Sequence, residues 1–205
     1  HIHIDKKFKV VVDGGNGVGG KFAEPILEKL GCDVTCLYCE PDGNFPNHFP
    51  DPTVEEHLQD LIALVTGHGA DLGIAFDGDA DRLGVVSNTG EIIWGDKLLL
   101  LFARDILKDN PGATIIGEVK CSQVLYDGIL QYSGNPLMWK AGHSLIKAKM
   151  KEEKALLGGE MSGHLFFADR YFGYDDAIYA AVRLLEILSR ENKKLSDLIS
   201  DIPVT

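Results

Sequence analysis

Apolar residues recur along this chain in two alternating rhythms. Residues 8–12, 34–38, 71–76 and 83–87 form short runs rich in β-branched and other apolar side chains, with the length of strands. Between them, residues 21–30 carry Phe22, Ile26, Leu27 and Leu30 at helical spacing and stop at Gly31. A second helical stretch opens near Thr53 and runs through Leu58, Leu61, Ile62 and Val65. Loop 41–52 contains four prolines, too many for regular structure. Residues 88–90, Asn-Thr-Gly, read as a turn. The alternation then restarts. Helix 95–108 precedes strand 113–119, helix 122–131 precedes strand 136–139, and a further helix begins near His143. Strands 155–157 and 165–167 follow. The last helix, 176–189, is amphipathic through Ile178, Ala181, Val182, Leu185 and Leu188.

Strands separated by helices predict an α/β fold: two successive mixed, mainly parallel sheet domains, each flanked by helices. The expected division is residues 1–91 and 92–205. Ligands of such sheets bind at the carboxyl ends of strands, so the loops there are where chemistry is sought.

Composition narrows the functional classes. The chain of 205 residues is 45% hydrophobic, too apolar for a disordered segment. None of its apolar runs approaches the roughly 20 residues of a membrane span, and no secretory leader opens it. Membrane partners are therefore not expected, and the location is expected to be cytoplasmic. Twenty Lys and Arg against 31 Asp and Glu give a net charge of −11, which disfavours a nucleic-acid backbone as partner. An acidic protein that binds an anionic substrate must supply local cations or a metal. Cys32, Cys36 and Cys39 have no His or Cys partner at zinc-finger spacing. With Cys121, they are expected to be buried free thiols of a reducing compartment.

The strand 71–76 runs directly into Asp77-Gly78-Asp79-Ala80-Asp81-Arg82. Small residues between the three acids let the backbone curl until the carboxylates converge. Without a cation they would raise one another's pKa. Oxygen ligands suit Mg2+, Ca2+ or Mn2+ rather than zinc. A calcium-binding EF-hand does not fit, since position 6 would be Arg82 and position 12 Asn88. Asp77, Asp79 and Asp81 are thus candidate ligands of Mg2+. A second loop, Gly15-Asn16-Gly17-Val18-Gly19-Gly20, matches the spacing of a dinucleotide-binding turn. An NAD(P)-binding oxidoreductase half is the alternative it raises. A tight strand-to-helix turn that requires small residues is the preferred reading.

Taken together, these segments resemble the alpha-D-phosphohexomutases, in particular the bacterial phosphomannomutase/phosphoglucomutase branch. Residues 13–17, Asp-Gly-Gly-Asn-Gly, look like the opening loop of the family's second domain, and Asp77 to Arg82 like its metal loop. Lys120 with Ala141-Gly142-His143-Ser144 resembles the substrate-facing segments of its third domain. Gly159-Glu160-Met161-Ser162-Gly163-His164 resembles its sugar-specificity loop, and Phe172-Gly173-Tyr174-Asp175-Asp176 the lead into that domain's last helix.

The resemblance implies an isomerase that moves phosphate between the 1 and 6 positions of mannose or glucose phosphates. A phosphoserine and a bisphosphosugar intermediate carry the transfer, with Mg2+ bound by Asp77, Asp79 and Asp81. His143, Lys120 and Arg82 would take catalytic parts, and Glu160, Ser162, His164, Gly142 and Lys120 would contact the sugar phosphate. Asp175 and Asp176 are expected to cap the last helix. The family's serine motif and its phosphate-clamping fourth domain are not found in this sequence. The expectation is therefore domains 2 and 3 of a four-domain enzyme, with domains 1 and 4 as partners and no turnover by this piece alone. A non-catalytic sugar-phosphate binding module is the remaining alternative.

Overall fold

The computed structural model describes residues 2–203. Two compact units emerge. One comprises residues 1–93 with 177–198, the other residues 94–176 with 199–205.

The first unit is built on a five-stranded sheet of order β2-β1-β3-β4-β5. Its strands are β1 (Lys9–Asp13), β2 (Asp33–Leu37), β3 (Leu72–Phe76), β4 (Leu83–Ser87) and β5 (Ile92–Ile93). β1 pairs parallel with β2 and β3, while β4 and β5 add antiparallel. The sheet is thus mixed, as the sequence pattern implied. Helix α2 (Gln59–His68), entered through a 3-10 turn at Glu55–Leu58, covers one face, where Leu58, Leu61 and Val65 pack on Val11, Ala75 and Val86. Two-residue alternation sends the neighbours Val10, Val12, Ile74 and Phe76 to the opposite face. There α1 (Gly19–Lys29) approaches so closely that a Cβ on Gly19 would lie 2.8 Å from Phe76 Cβ.

The expected apolar face of α1 is only half realised. Leu27 is buried, but Phe22 and Ile26 are 56% and 41% exposed. Gly19, Gly20 and Ala23 bring the helix onto the sheet instead, because only small residues permit the close approach. A long helix, α6 (Ala177–Glu191), also belongs to this unit and packs on α1 and β4.

The second unit carries a four-stranded sheet of order β7-β6-β8-β9. These are β6 (Thr114–Glu118), β7 (Asn135–Trp139), β8 (Leu157–Gly159) and β9 (Leu165–Phe167), parallel except for the last pair. Helix α5 (His143–Glu153) lies over Ile116 and Phe166, to which it supplies Ile146 and Met150. On the other face, α4 (Gln123–Gln131) sets Leu125 and Tyr126 against Gly117, and α3 (Gly95–Asp109) sets Leu99 against Gly159. A short helix, α7 (Leu195–Ile199), follows α6.

Two local expectations need correction, and two short elements were not expected. The strand expected at 155–157 forms two residues later, because Gly158 is needed where Met150 and Ile146 press on the sheet. β5 and α7 are too short to leave a periodic signal. Cys36 and Cys39, expected as free thiols, are joined as a disulfide, since the turn at Tyr38 (φ 52°) brings their Cα atoms to 5.8 Å. Cys32 and Cys121 are the free cysteines, both buried. Burial pushes their thiols up to about 11 and about 12. Among the described residues, no helix is long and apolar enough to cross a membrane.

Candidate functional site

The Gly-rich loop follows β1, and the acid loop follows β3. These strands are adjacent and parallel, so both loops emerge at one carboxyl edge. In the acid loop, carboxylate oxygens of Asp77, Asp79 and Asp81 lie within 4.8 Å of one another. Asp77 is buried, Asp81 half-buried and Asp79 exposed. Ala80 adopts φ 63°, which closes the curl, and the amide of Ala80 donates to the Asp77 carbonyl. Asp77 organises its neighbours: Oδ1 accepts the amides of Asp81 (3.0 Å) and Arg82 (3.1 Å), and Oδ2 accepts Arg82 Nε (2.7 Å). The Ala80 carbonyl is tied down by the amide of Ala177, at the start of α6.

This arrangement fits a hard divalent cation. The donors are all carboxylate oxygens, and one guanidinium offsets part of their charge. Arg82 reaches Asp51 as well (3.2 Å). Burial acts against its charge, but the bonds to Asp77 and the charge of Asp51 hold its pKa above the ordinary value.

The Gly-rich loop has no amide to spare for a pyrophosphate across residues 14–18. Gly14 donates to Leu37 O, Gly15 to Asp13 Oδ1, Asn16 to Tyr38 O, Gly17 to Gly14 O and Val18 to Gly78 O. A Cβ on Gly17 would stand 2.8 Å from Gly78 O. The glycines let this loop pack against the acid loop, which leaves the dinucleotide alternative without support.

In the second unit, three predicted segments follow three adjacent parallel strands: Lys120 after β6, Gly142 and His143 after β7, and residues 160–164 after β8. Glu160 is buried and its Oε1 accepts the Gly142 amide (2.5 Å), which ties the last two segments together. The Lys120 side chain is 63% exposed, with Nζ 3.7 Å from Glu118 Oε2. His143 is 53% exposed and opens α5 directly after its N-cap, Gly142. His164 is largely buried and stacks on both His143 and Phe166. Ser162 is half-buried.

The contacts of three acids escaped the sequence reading. Asp175, expected as a helix cap, faces Lys147 Nζ (2.8 Å), His164 Nδ1 (3.3 Å) and His143 Nδ1 (3.6 Å). Burial opposes its charge, but the Lys147 bond prevails and lowers its pKa. Glu118, 1% exposed, accepts the Met161 amide at 2.8 Å and so braces the loop that holds Glu160. Asp51 anchors Arg82. Glu118 had a usable signal, an acid ending an apolar strand two residues before Lys120.

The segment 3–90 matches the profile of phosphoglucomutase/phosphomannomutase alpha/beta/alpha domain II, and 94–205 matches that of domain III. The chain belongs to the phosphoglucomutase/phosphomannomutase family. It is 59% identical over 202 residues to a phosphomannomutase/phosphoglucomutase of Pseudomonas aeruginosa, covering 98% of this chain and 44% of that protein. To a phosphoglucomutase of Neisseria gonorrhoeae it is 51% identical over 203 residues, covering 99% and 44%. A crystal structure of a family protein from Burkholderia thailandensis superposes with a TM-score of 0.95 at 50% identity, covering 99% of this chain and 44% of that one. The chain therefore spans less than half the length of these relatives. The family profiles divide the sequence between 90 and 94, whereas packing assigns α6 to the first unit.

Proposed function

We propose that this chain supplies the cation-binding and sugar-binding parts of a phosphohexomutase acting on mannose or glucose 1- and 6-phosphates. The observation that carries this reading is the convergence of Asp77, Asp79 and Asp81 at the carboxyl edge of β3, in a chain of this family. Mg2+ is the cation proposed; when bound it would neutralise charge on phosphoryl oxygens during transfer. The names of the relatives, phosphomannomutase/phosphoglucomutase and phosphoglucomutase, support hexose phosphates as the substrates.

Each residue then has a task. Asp77 holds the loop backbone in shape while Asp79 and Asp81 present oxygens. Arg82 fixes Asp77 and keeps the acid cluster from repelling itself open. On the second unit, Lys120 offers a mobile ammonium to phosphate or a sugar oxygen. Glu160 keeps one oxygen on Gly142 and offers the other to hydroxyls, with Ser162 beside it. His143 and His164 face Asp175 through Nδ1. His143, the more exposed of the two, is the candidate for general base work on a hydroxyl, with His164 supporting the loop. The phosphoserine would come from a domain outside this chain, so the piece alone is expected to bind but not to turn over.

The test is titration of the purified chain with glucose 1-phosphate and Mn2+, followed by an isomerisation assay. Millimolar or tighter binding of both, abolished for the metal by the double change Asp79→Asn with Asp81→Asn, is the expected result. A loss of about 100-fold in metal affinity corresponds to about 2.7 kcal/mol. Unchanged metal binding by the double variant would remove the ligand assignment, and enzyme-like turnover would remove the division of labour between this chain and the serine domain.

A further inference from the structure

Loop 41–52 appeared in the sequence only as a proline-rich connection. In the structure it is a strap over both loops of the first unit. Asn47 Nδ2 donates to Asn16 Oδ1 (2.8 Å), and the Asp42 amide donates to Asn16 O (2.8 Å). Pro50 lies where a Cβ on Gly15 would be only 2.8 Å away, and within 3.7 Å of one on Gly78. Asp51 takes Arg82, which in turn holds Asp77. Pro52 presses on Gly84 at the start of β4.

One residue pins this strap to the sheet. His48 Nε2 meets both oxygens of the Asp13 carboxylate (3.1 and 3.2 Å), and His48 Nδ1 meets the Phe49 carbonyl (3.0 Å). Asp13 ends β1 and is fully buried. Both ring nitrogens thus face acceptors only, and an imidazole satisfies two acceptors only when both nitrogens carry protons. A buried carboxylate also demands a counter-charge.

We propose that His48 is a positioning residue for the acid loop: as an imidazolium clamped on Asp13, it holds the strap that presses Pro50 on Gly78 and delivers Asp51 to Arg82. The inference rests on the reading of Asp77, Asp79 and Asp81 as a cation site only for its functional consequence; the clamp itself rests on the contacts above. Every charged or titratable neighbour bears on the protonation. Asp13 on β1 favours it, as does Asp60 at the start of α2. The Tyr38 ring meets the imidazole edge-on, and the His57 ring stacks on it with its own Nδ1 turned to the Asp51 carbonyl. The bond to Asp13 outweighs burial and raises the His48 pKa above 6.5. A raised pKa means that the clamp stabilises fully below the unfolded value and is lost as pH rises through the folded one.

The experiment follows amide exchange of Ala80, Asp81 and Arg82, as protection factors, together with the ring nitrogen signals of His48, across pH 5.5 to pH 9.5 without metal. The expected result is that His48 titrates above 6.5 and that loop protection falls by about tenfold along the same curve. His48→Gln is expected to show the low protection already at pH 6 and no further pH response, while amides of β6 in the other unit stay unchanged. Titration of His48 at an ordinary value, or loop protection that ignores its titration in the unmodified chain, overturns the proposal without reference to any variant. Protection in His48→Gln equal to that of the unmodified chain at pH 6 overturns it as well. Mn2+ affinity, measured in parallel, separates the two readings: no binding by the unmodified chain counts against the cation site, and the exchange data decide the clamp alone.

Discussion

The carboxyl edges of the two sheets are organised in opposite ways. In the first unit the charges answer one another: Asp77 with Arg82, Arg82 with Asp51, Asp13 with His48. The loops there are packed backbone to backbone through Gly17 and Gly78. In the second unit Asp175 is paired with Lys147, but the other acids of the edge lie inside and their basic neighbours outside. Glu118 and Glu160 spend oxygens on the amides of Met161 and Gly142, while Lys120 and His143 extend toward solvent. A rigid set of carboxylates suits a small hard cation that requires fixed geometry. Exposed side chains on braced loops can instead adjust to a larger ligand. The same α/β plan thus yields two differently organised carboxyl edges.

Gly17→Ala tests the first half of the contrast most severely. Its Cβ would lie 2.8 Å from Gly78 O and 2.9 Å from Gly78 Cα, so backbone must move and no side chain can yield instead. Overpacking of this kind costs up to about 3 kcal/mol. The expected outcome is a urea midpoint for the first unit well below that of the unmodified chain, with loss of the protected Val18 amide. A variant with unchanged stability would mean that the two loops are not held in contact.

Much of this was legible beforehand because the informative positions are local. A strand followed by alternating acids, or by glycines, declares a loop at a carboxyl edge without knowledge of the tertiary fold. Asp77 was singled out that way, whereas Glu160 and Lys120 were singled out by the resemblance to the family's third domain. What stayed hidden depends on contacts far apart in sequence. His48 lies 35 positions from Asp13, and Asp175 lies 28 from Lys147. No short window contains either pair. The exposed Phe22 and Ile26 misled for a related reason: helical spacing shows that a face exists, but glycines elsewhere on the helix decided which side met the sheet.

Asp175→Asn sharpens the second half of the contrast. Its side chain is mostly buried against Lys147, His143 and His164, and a hydrogen bond between charged groups is worth about 1.5 to 3 kcal/mol. With Lys147 partly open to water, about 1.5 kcal/mol is expected at pH 7. Because the folded pKa is lowered, the stabilisation is present above the ordinary value of 3.8 and disappears as pH falls through the folded value. Unfolding curves of the two proteins should therefore differ at pH 7 and converge in stronger acid. A constant difference across that range would show that the loss is steric rather than ionic.

The smallest effect belongs to Gly142→Ala, and it is the most discriminating. Gly142 has φ 126° and ψ 115°, a backbone region that L side chains rarely adopt. Yet a Cβ there would meet nothing closer than the Leu145 side chain at 3.5 Å, and Leu145 is itself exposed and able to turn away. The cost is therefore conformational alone, about 1 kcal/mol. The Gly142 amide must also keep its bond to Glu160 while the strain is relieved. If the backbone relaxes, that bond lengthens, and glucose 1-phosphate should bind less tightly even though the unfolding midpoint hardly moves. If the backbone holds, the stability cost should appear in full and binding should be kept. Trp139 fluorescence during urea unfolding, read beside ligand titration, separates the two. The first outcome marks the loops after β7 and β8 as adjustable, whereas the second would make them as fixed as the pair Gly17 and Gly78.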